Sequence, residues 1–200
     1  FDTEEQRCVE IPEKNIFVYG LSFEHKEVRS PLYDEWKPVN KPGFHVLLAH
    51  GGDLSCCPMD FTGLAAAGFD YVALGHSHKP HTVCRDKIAY SGSLEPLDRN
   101  DLGKHGYIQG EYEDGNVKVR LVPCANRSYQ NLVLNVDRDT TQYKLEEMLR
   151  SEVMRRGGRN IYRLILKGRV SPDNVLLTER LHGLGNIVEI MDESRPAYNI

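Results

Sequence analysis

Phe44-His45-Val46-Leu47-Leu48-Ala49-His50-Gly51-Gly52 and, further along, Phe69-Asp70-Tyr71-Val72-Ala73-Leu74-Gly75-His76-Ser77-His78 decide how this chain folds. Each is a short, near-continuous apolar run that stops at glycine and histidine, the pattern of a strand covered on both faces. Between them, Pro58–Ala67 reads as a short helix ended by Gly68. Strand, helix and strand in so short a span form a βαβ unit, so the two strands run parallel.

Working outward, Asn15–Leu21 reads as a further strand, followed by an irregular polar stretch punctuated by Pro31, Pro38 and Pro42. Downstream the pattern turns antiparallel. His81–Cys84 and Ile88–Tyr90 flank a turn at Arg85-Asp86-Lys87, and Tyr107–Tyr112 and Val117–Val122 flank the hairpin signal Glu113-Asp114-Gly115-Asn116. The loop-like Val122–Ser128 marks a domain boundary. Beyond it, Leu132, Leu134 and Val136 keep strand period, and Leu145, Met148, Leu149 and Val153 keep helical spacing before Gly157-Gly158. Tyr162, Leu164 and Leu166 alternate as a strand. Ser171-Pro172-Asp173 reads as the start of a second helix closing at Gly183, and Asn186–Met191 returns as a strand. The fold expected is α/β (α+β overall), with mixed parallel and antiparallel strands over residues 1–126 and a small βαβαβ two-layer unit over 127–200.

Composition bounds the function. With 200 residues, 40% hydrophobic, 27% charged and a net charge of −4, the chain is neither disordered nor a uniformly basic nucleic-acid coat. No apolar run is long enough to span a bilayer as a helix. Charge is uneven: residues 1–126 carry 13 Lys+Arg against 19 Asp+Glu, residues 127–200 carry 12 against 10. Five cysteines (Cys8, Cys56, Cys57, Cys84, Cys124) without CxxC spacing indicate neither a disulfide framework nor a zinc ribbon, and fit a reducing cytoplasm. Phe1 is no initiator methionine and no signal peptide follows it, so the chain reads as a piece of a longer protein.

The chemistry lies in the histidines. His50, His76 and His78 sit at the carboxyl ends of two parallel strands, where loops of open α/β sheets converge on a crevice. His76 and His78, two apart in extended backbone, project from one side, and Gly51, Gly52 and Gly75 let the backbone approach closely. Neutral imidazoles suit Zn, Mn or Fe. A single histidine at a strand end is ordinarily just a polar residue; three converging make a metal site the better reading. His45, His25, His81, His105 and His182 read as structural. Cys56-Cys57 offer soft ligands beyond His50, but vicinal cysteines rarely both reach one metal.

Leu47-Leu48-Ala49-His50-Gly51 followed by Tyr71-Val72-Ala73-Leu74-Gly75-His76-Ser77-His78-Lys79-Pro80 resembles the last two motifs of the calcineurin-like metallophosphoesterases. Ile88-Ala89-Tyr90-Ser91-Gly92-Ser93-Leu94-Glu95-Pro96 and the Gly106-Tyr107 strand are similar to the SbcD/Mre11-type DNA-repair exonucleases, in which a small α/β capping domain follows the phosphoesterase core. The resemblance implies that residues 1–126 are the later half of such a core and 127–200 its cap. It implies two divalent cations, usually manganese, with His50 and His76 on one and His78 on the other, polarising a phosphodiester and supplying hydroxide for attack. It further implies DNA as substrate and an SbcC/Rad50-type ATPase as partner.

One departure matters. The family's Asp-x-His, Gly-Asp and Gly-Asn-His motifs lie upstream of the His-Gly strand, and the 49 residues before His50 contain none of them. Two dications about 4 Å apart repel by roughly 15–20 kcal/mol at an effective dielectric of about 20, which neutral histidines cannot offset. No catalytic acid is assignable, and this chain alone is expected to be inactive. A core lacking neighbours should also expose an apolar face or sheet edge that self-association covers. Two further readings stand beside the exonuclease: a phosphodiesterase of the same superfamily acting on a small phosphoester, and a non-catalytic DNA-binding or scaffolding protein.

Arg155, Arg156 and Arg159, with Arg163, Lys167 and Arg169 near by in sequence, are candidate phosphate contacts. The competing account is a solvated face with cations favourably placed at a helix C-terminus.

Overall fold

The computed structural model describes residues 3–25 and 27–197. They form two compact units, Phe1–Leu97 with Lys104–Cys124, and Asp98–Gly103 with Ala125–Ile200. The architecture is mixed α/β. Among the described residues no helix is long and apolar enough to cross a membrane.

The first unit is built on a six-stranded sheet. Its strands are β1 (Arg7–Ile11), β2 (Ile16–Gly20), β3 (Phe44–His50), β4 (Tyr71–Gly75), β5 (His81–Cys84) and β6 (Ile88–Tyr90), in the order β1-β2-β3-β4-β6-β5. β2, β3, β4 and β6 are parallel neighbours, and β1 and β5 close the edges antiparallel. Helix α1 (Phe61–Ala66) makes the β3–β4 crossover. It starts later than the sequence suggests, because Asp60 is the cap: its carboxylate accepts from the Thr62 N–H at 3.0 Å. β1 carries no sequence signal, since all five of its residues are exposed and it is held by backbone pairing to β2.

The apolar run of β3 predicts cover on both faces, and the structure covers one fully and the other in part. Leu47 is fully buried with Phe17, Tyr19, Leu64, Phe69, Val72 and Leu74, whereas Leu48 on the opposite face is 44% exposed. That second face is met by a hairpin of β7 (Gly106–Glu113) and β8 (Asn116–Pro123), with the Phe44 and Tyr112 rings 4.6 Å apart. A cavity of about 500 Å3 lies between sheet and hairpin, lined by Phe44, Tyr71, Ala73, Tyr107 and Tyr112 among others. Tyr71 is buried, with its hydroxyl unpartnered.

The second unit is a three-stranded parallel sheet, ordered β11-β10-β9, of β9 (Tyr129–Val136), β10 (Ile161–Val170) and β11 (Ile187–Pro196). Helix α2 (Gln142–Arg156) buries Leu145, Leu149 and Val153 against Leu132, Leu134, Tyr162, Leu164 and Leu166. Thr141 caps it, accepting from the Lys144 N–H. The second connection departs from expectation. Ser171-Pro172-Asp173 does not start a helix; it makes a turn closed by the Asn174 N–H to the Ser171 carbonyl at 2.9 Å. The Asn174 amide then donates to the Arg138 and Thr140 carbonyls, and the Leu177 N–H to Gln142 Oε1, tying the segment down in extended form. Only Thr178–Leu184 winds up, as a 3-10 helix.

Candidate metal centre

β3 and β4 end side by side. His50 is in register with Gly75, so the loops after both strands leave from one edge of the sheet. A β-carbon on Gly75 would lie 3.0 Å from His50 Nδ1, so the absence of a side chain there makes room for the imidazole. After His50, the turn at Gly51 and Gly52 takes φ values of 124° and 107°. The Tyr90 hydroxyl donates to the Gly51 carbonyl at 2.7 Å, and the Gly52 N–H donates to the Cys56 and Cys57 carbonyls.

Asp53 organises the loop that follows. One carboxylate oxygen accepts from the Ser55 N–H at 2.7 Å, the Ser55 hydroxyl at 2.6 Å and the Cys56 N–H at 2.8 Å. The other meets His76 Nε2 at 2.8 Å. These bonds, led by Ser55 and then His76, hold the Asp53 carboxyl well below the usual carboxylate range. His76 itself sits at φ 103°, a conformation few non-glycine residues adopt and one found disproportionately at functional sites.

The outcome is a trio. Donor atoms of His50, Cys56 and His76 all lie within 4.8 Å of one another. The His50 and His76 ring centroids are 5.4 Å apart, and the Phe23 ring edges His50 at 5.9 Å. Burial and then the neighbouring His76 push the His50 pKa down, favouring the neutral form a metal ligand needs. Burial and the Asp53 charge raise the Cys56 thiol. A cleft of about 560 Å3 opens beside His50, bounded by Phe23, Tyr33, Leu48, Ala73 and Ser91 among others.

Of the sequence candidates, His50 and His76 are thus brought together. His78 lies outside the trio, in the segment after β4, where its carbonyl accepts from the Ser93 N–H at 3.0 Å. The vicinal cysteines divide: Cys56 joins the histidines and Cys57 is fully buried in the core. His45 is satisfied structurally, stacked on Phe17, with Nε2 donating to the Lys41 carbonyl and Nδ1 accepting from the Tyr19 hydroxyl. Asp53 escaped the sequence reading, although an acid two residues before a serine, directly after Gly-Gly, is an Asx-turn signal.

The arginine cluster is largely paired. Arg155 and Arg156 both bind Glu152, at 2.7 and 2.8 Å, and Arg156 also reaches the Asn131 carbonyl. Arg163 pairs with Glu189 and Lys167 with Glu193 on β11. Arg159 is exposed in the loop after α2.

The donor set fits a divalent cation: two imidazoles and a thiol within reach of one ion, with a carboxylate on one imidazole. Comparison with known proteins points the same way. The chain is similar to a metallophosphoesterase. It is 22% identical over 162 residues to the uncharacterized metallophosphoesterase YhaO of Bacillus subtilis. The match covers 76% of this chain and 40% of the relative, so the chain spans well under half of that protein. No protein-family model matches. The relative is described as a metallophosphoesterase, the broad class whose His-Gly and Gly-His-x-His motifs this chain resembles.

Proposed function

We propose that this chain is the later part of a metal-dependent phosphodiesterase acting on DNA ends, with the first unit contributing metal ligands and residues 127–200 forming a cap. The observation that carries the reading is the convergence of His50 and His76 at adjacent ends of parallel strands, in a chain related to a metallophosphoesterase. Bound there, a divalent cation supplies Lewis acidity toward a phosphoryl oxygen. The chain's own residues hold it with neutral nitrogen donors, orient the His76 ring through Asp53, and offer a cleft beside His50 for the substrate. Within this reading His78 serves a second cation, and manganese is the metal the resemblance implies. An SbcC/Rad50-type ATPase is the partner, and the site is cytoplasmic.

The test uses the complete natural gene product. Divalent-metal-dependent release of nucleotides from duplex DNA ends should exceed hydrolysis of bis-p-nitrophenyl phosphate, and His50→Ala or His76→Ala should abolish both. Activity on the small ester alone would replace the exonuclease with a small-substrate phosphodiesterase. Activity on neither would leave the DNA-binding or scaffolding reading. For the cap, neutralising Arg155, Arg156 and Arg159 together should flatten the salt dependence of DNA binding by about one to three units of log–log slope. An unchanged slope would reduce these arginines to partners of Glu152 and the helix end.

A further inference from the structure

We propose that Cys56 is a metal ligand, and that His50, Cys56 and His76 together form a site selective for zinc-class cations over manganese and magnesium. The inference rests on reading His50 and His76 as cation ligands, and adds which cation this chain prefers and why.

Three observations carry it. The donor atoms of the trio lie within 4.8 Å of one another, so one ion can touch all three with small side-chain adjustments. The thiol is placed there by a built turn: Asp53 takes both the Ser55 and Cys56 N–H groups, and the Gly52 N–H closes the loop on the Cys56 carbonyl at 2.9 Å. Finally, both oxygens of Asp53 are engaged within the loop. One is committed to Ser55 and Cys56 and the other to His76 Nε2, the carboxylate–histidine pairing that orients a ligating imidazole.

Two nitrogens and one sulfur, with the carboxylate held outside, leave a tetrahedral ion one open position, the arrangement of catalytic rather than structural zinc sites. The His76 side chain is 34% exposed, so solvent reaches the trio. Sulfur decides the selectivity. Thiolate favours Zn2+ and Co2+ and contributes little to Mn2+ or Mg2+, which seek oxygen. Cys57, turned into the core, cannot complete a two-sulfur site.

The test is a cobalt titration of the reduced 200-residue chain, followed by competition with zinc and with manganese. Cobalt should bind with a near-ultraviolet thiolate charge-transfer band, zinc should displace it, and manganese should not at comparable concentration. Cys56→Ser should remove the band and weaken zinc at least about tenfold, Asp53→Asn, which loosens the hold on His76, should weaken it about 10–100-fold, and Cys8→Ser, at an exposed site, should change nothing. Circular dichroism confirms that each variant is folded, and Cys56→Ala repeats the measurement should Cys56→Ser misfold. Cobalt binding without the charge-transfer band would overturn the assignment of Cys56 while leaving the histidine site, and with it the proposed function, intact. A band that survives Cys56→Ser, zinc and manganese competing equally, or no cobalt binding at all would each overturn it too. The proposed function stands or falls separately, on hydrolysis by the complete gene product.

Discussion

Gly52→Ala tests whether the loop beneath the candidate metal centre is as tightly determined as its contacts imply. Gly52 has φ 107°, and a β-carbon there would collide with the Tyr90 hydroxyl and approach Phe61 Cζ to 2.8 Å. Tyr90 is 5% exposed and cannot withdraw to solvent without breaking its bond to the Gly51 carbonyl. Backbone strain of about 1–3 kcal/mol, plus roughly 1 kcal/mol for that hydrogen bond, gives an expected loss of about 2–4 kcal/mol. Gly115→Ala is the control. It too has positive φ, at 78°, but a β-carbon there meets nothing within 4 Å, so only the backbone strain remains. The assay is urea unfolding read by the single tryptophan, Trp36, which is buried in the same core cluster as Tyr90. Gly52→Ala should unfold at clearly lower urea than Gly115→Ala, by about 1 kcal/mol, the hydrogen-bond part of the loss. If the two agree within about 0.5 kcal/mol, the crowding reasoning is wrong, because the control already carries the backbone strain.

Two tyrosines make a matched pair in the same assay. Tyr71→Phe removes a buried hydroxyl that has no partner and should be neutral or stabilising by up to about 1 kcal/mol, whereas Tyr90→Phe strands the Gly51 carbonyl and should cost about 1–2 kcal/mol. In the second unit, Arg155 and then Arg156 pull the Glu152 carboxyl from 4.5 down to about 2. Because the folded value is depressed, whatever this cluster contributes is present above the unfolded value and is lost as pH falls through about 2. Carboxyl NMR titration should therefore show Glu152 protonating last among the acids of α2, and Arg155→Ala should move its midpoint upward.

The parts of this structure legible in the sequence are those whose signal is local. His81–Cys84 and Ile88–Tyr90 carry their alternation and turn within a few residues, and the structure starts and stops those strands there. β1 was illegible because its residues face solvent, and it exists through ladder bonds to β2. Ser171-Pro172-Asp173 shows a local signal overruled: it is a competent helix start, yet Asn174 and Leu177 find partners 34 to 36 residues away that hold the chain extended. The site divides along the same line. His50 and His76 are announced by strand ends and glycines, whereas the part played by Asp53 depends on a histidine 23 residues later.

β3 carries the remaining disagreement, and it has a physical consequence. A strand with apolar residues on both faces is composed for double cover, yet Leu48 is 44% exposed and the neighbouring Val46 and Ala73 are only half-buried. Fully burying a leucine is worth about 1.5–3 kcal/mol, so this face favours whatever covers it. If a second copy does so, the Trp36 unfolding midpoint should rise with protein concentration, and Leu48→Lys should abolish the rise while leaving the dilute-limit stability within about 0.5 kcal/mol. The substitution is mild in the monomer because Leu48 is already partly in water there, and severe in the dimer because it would bury a charge. A midpoint independent of concentration, with light scattering showing one mass throughout, would refute self-association through this face.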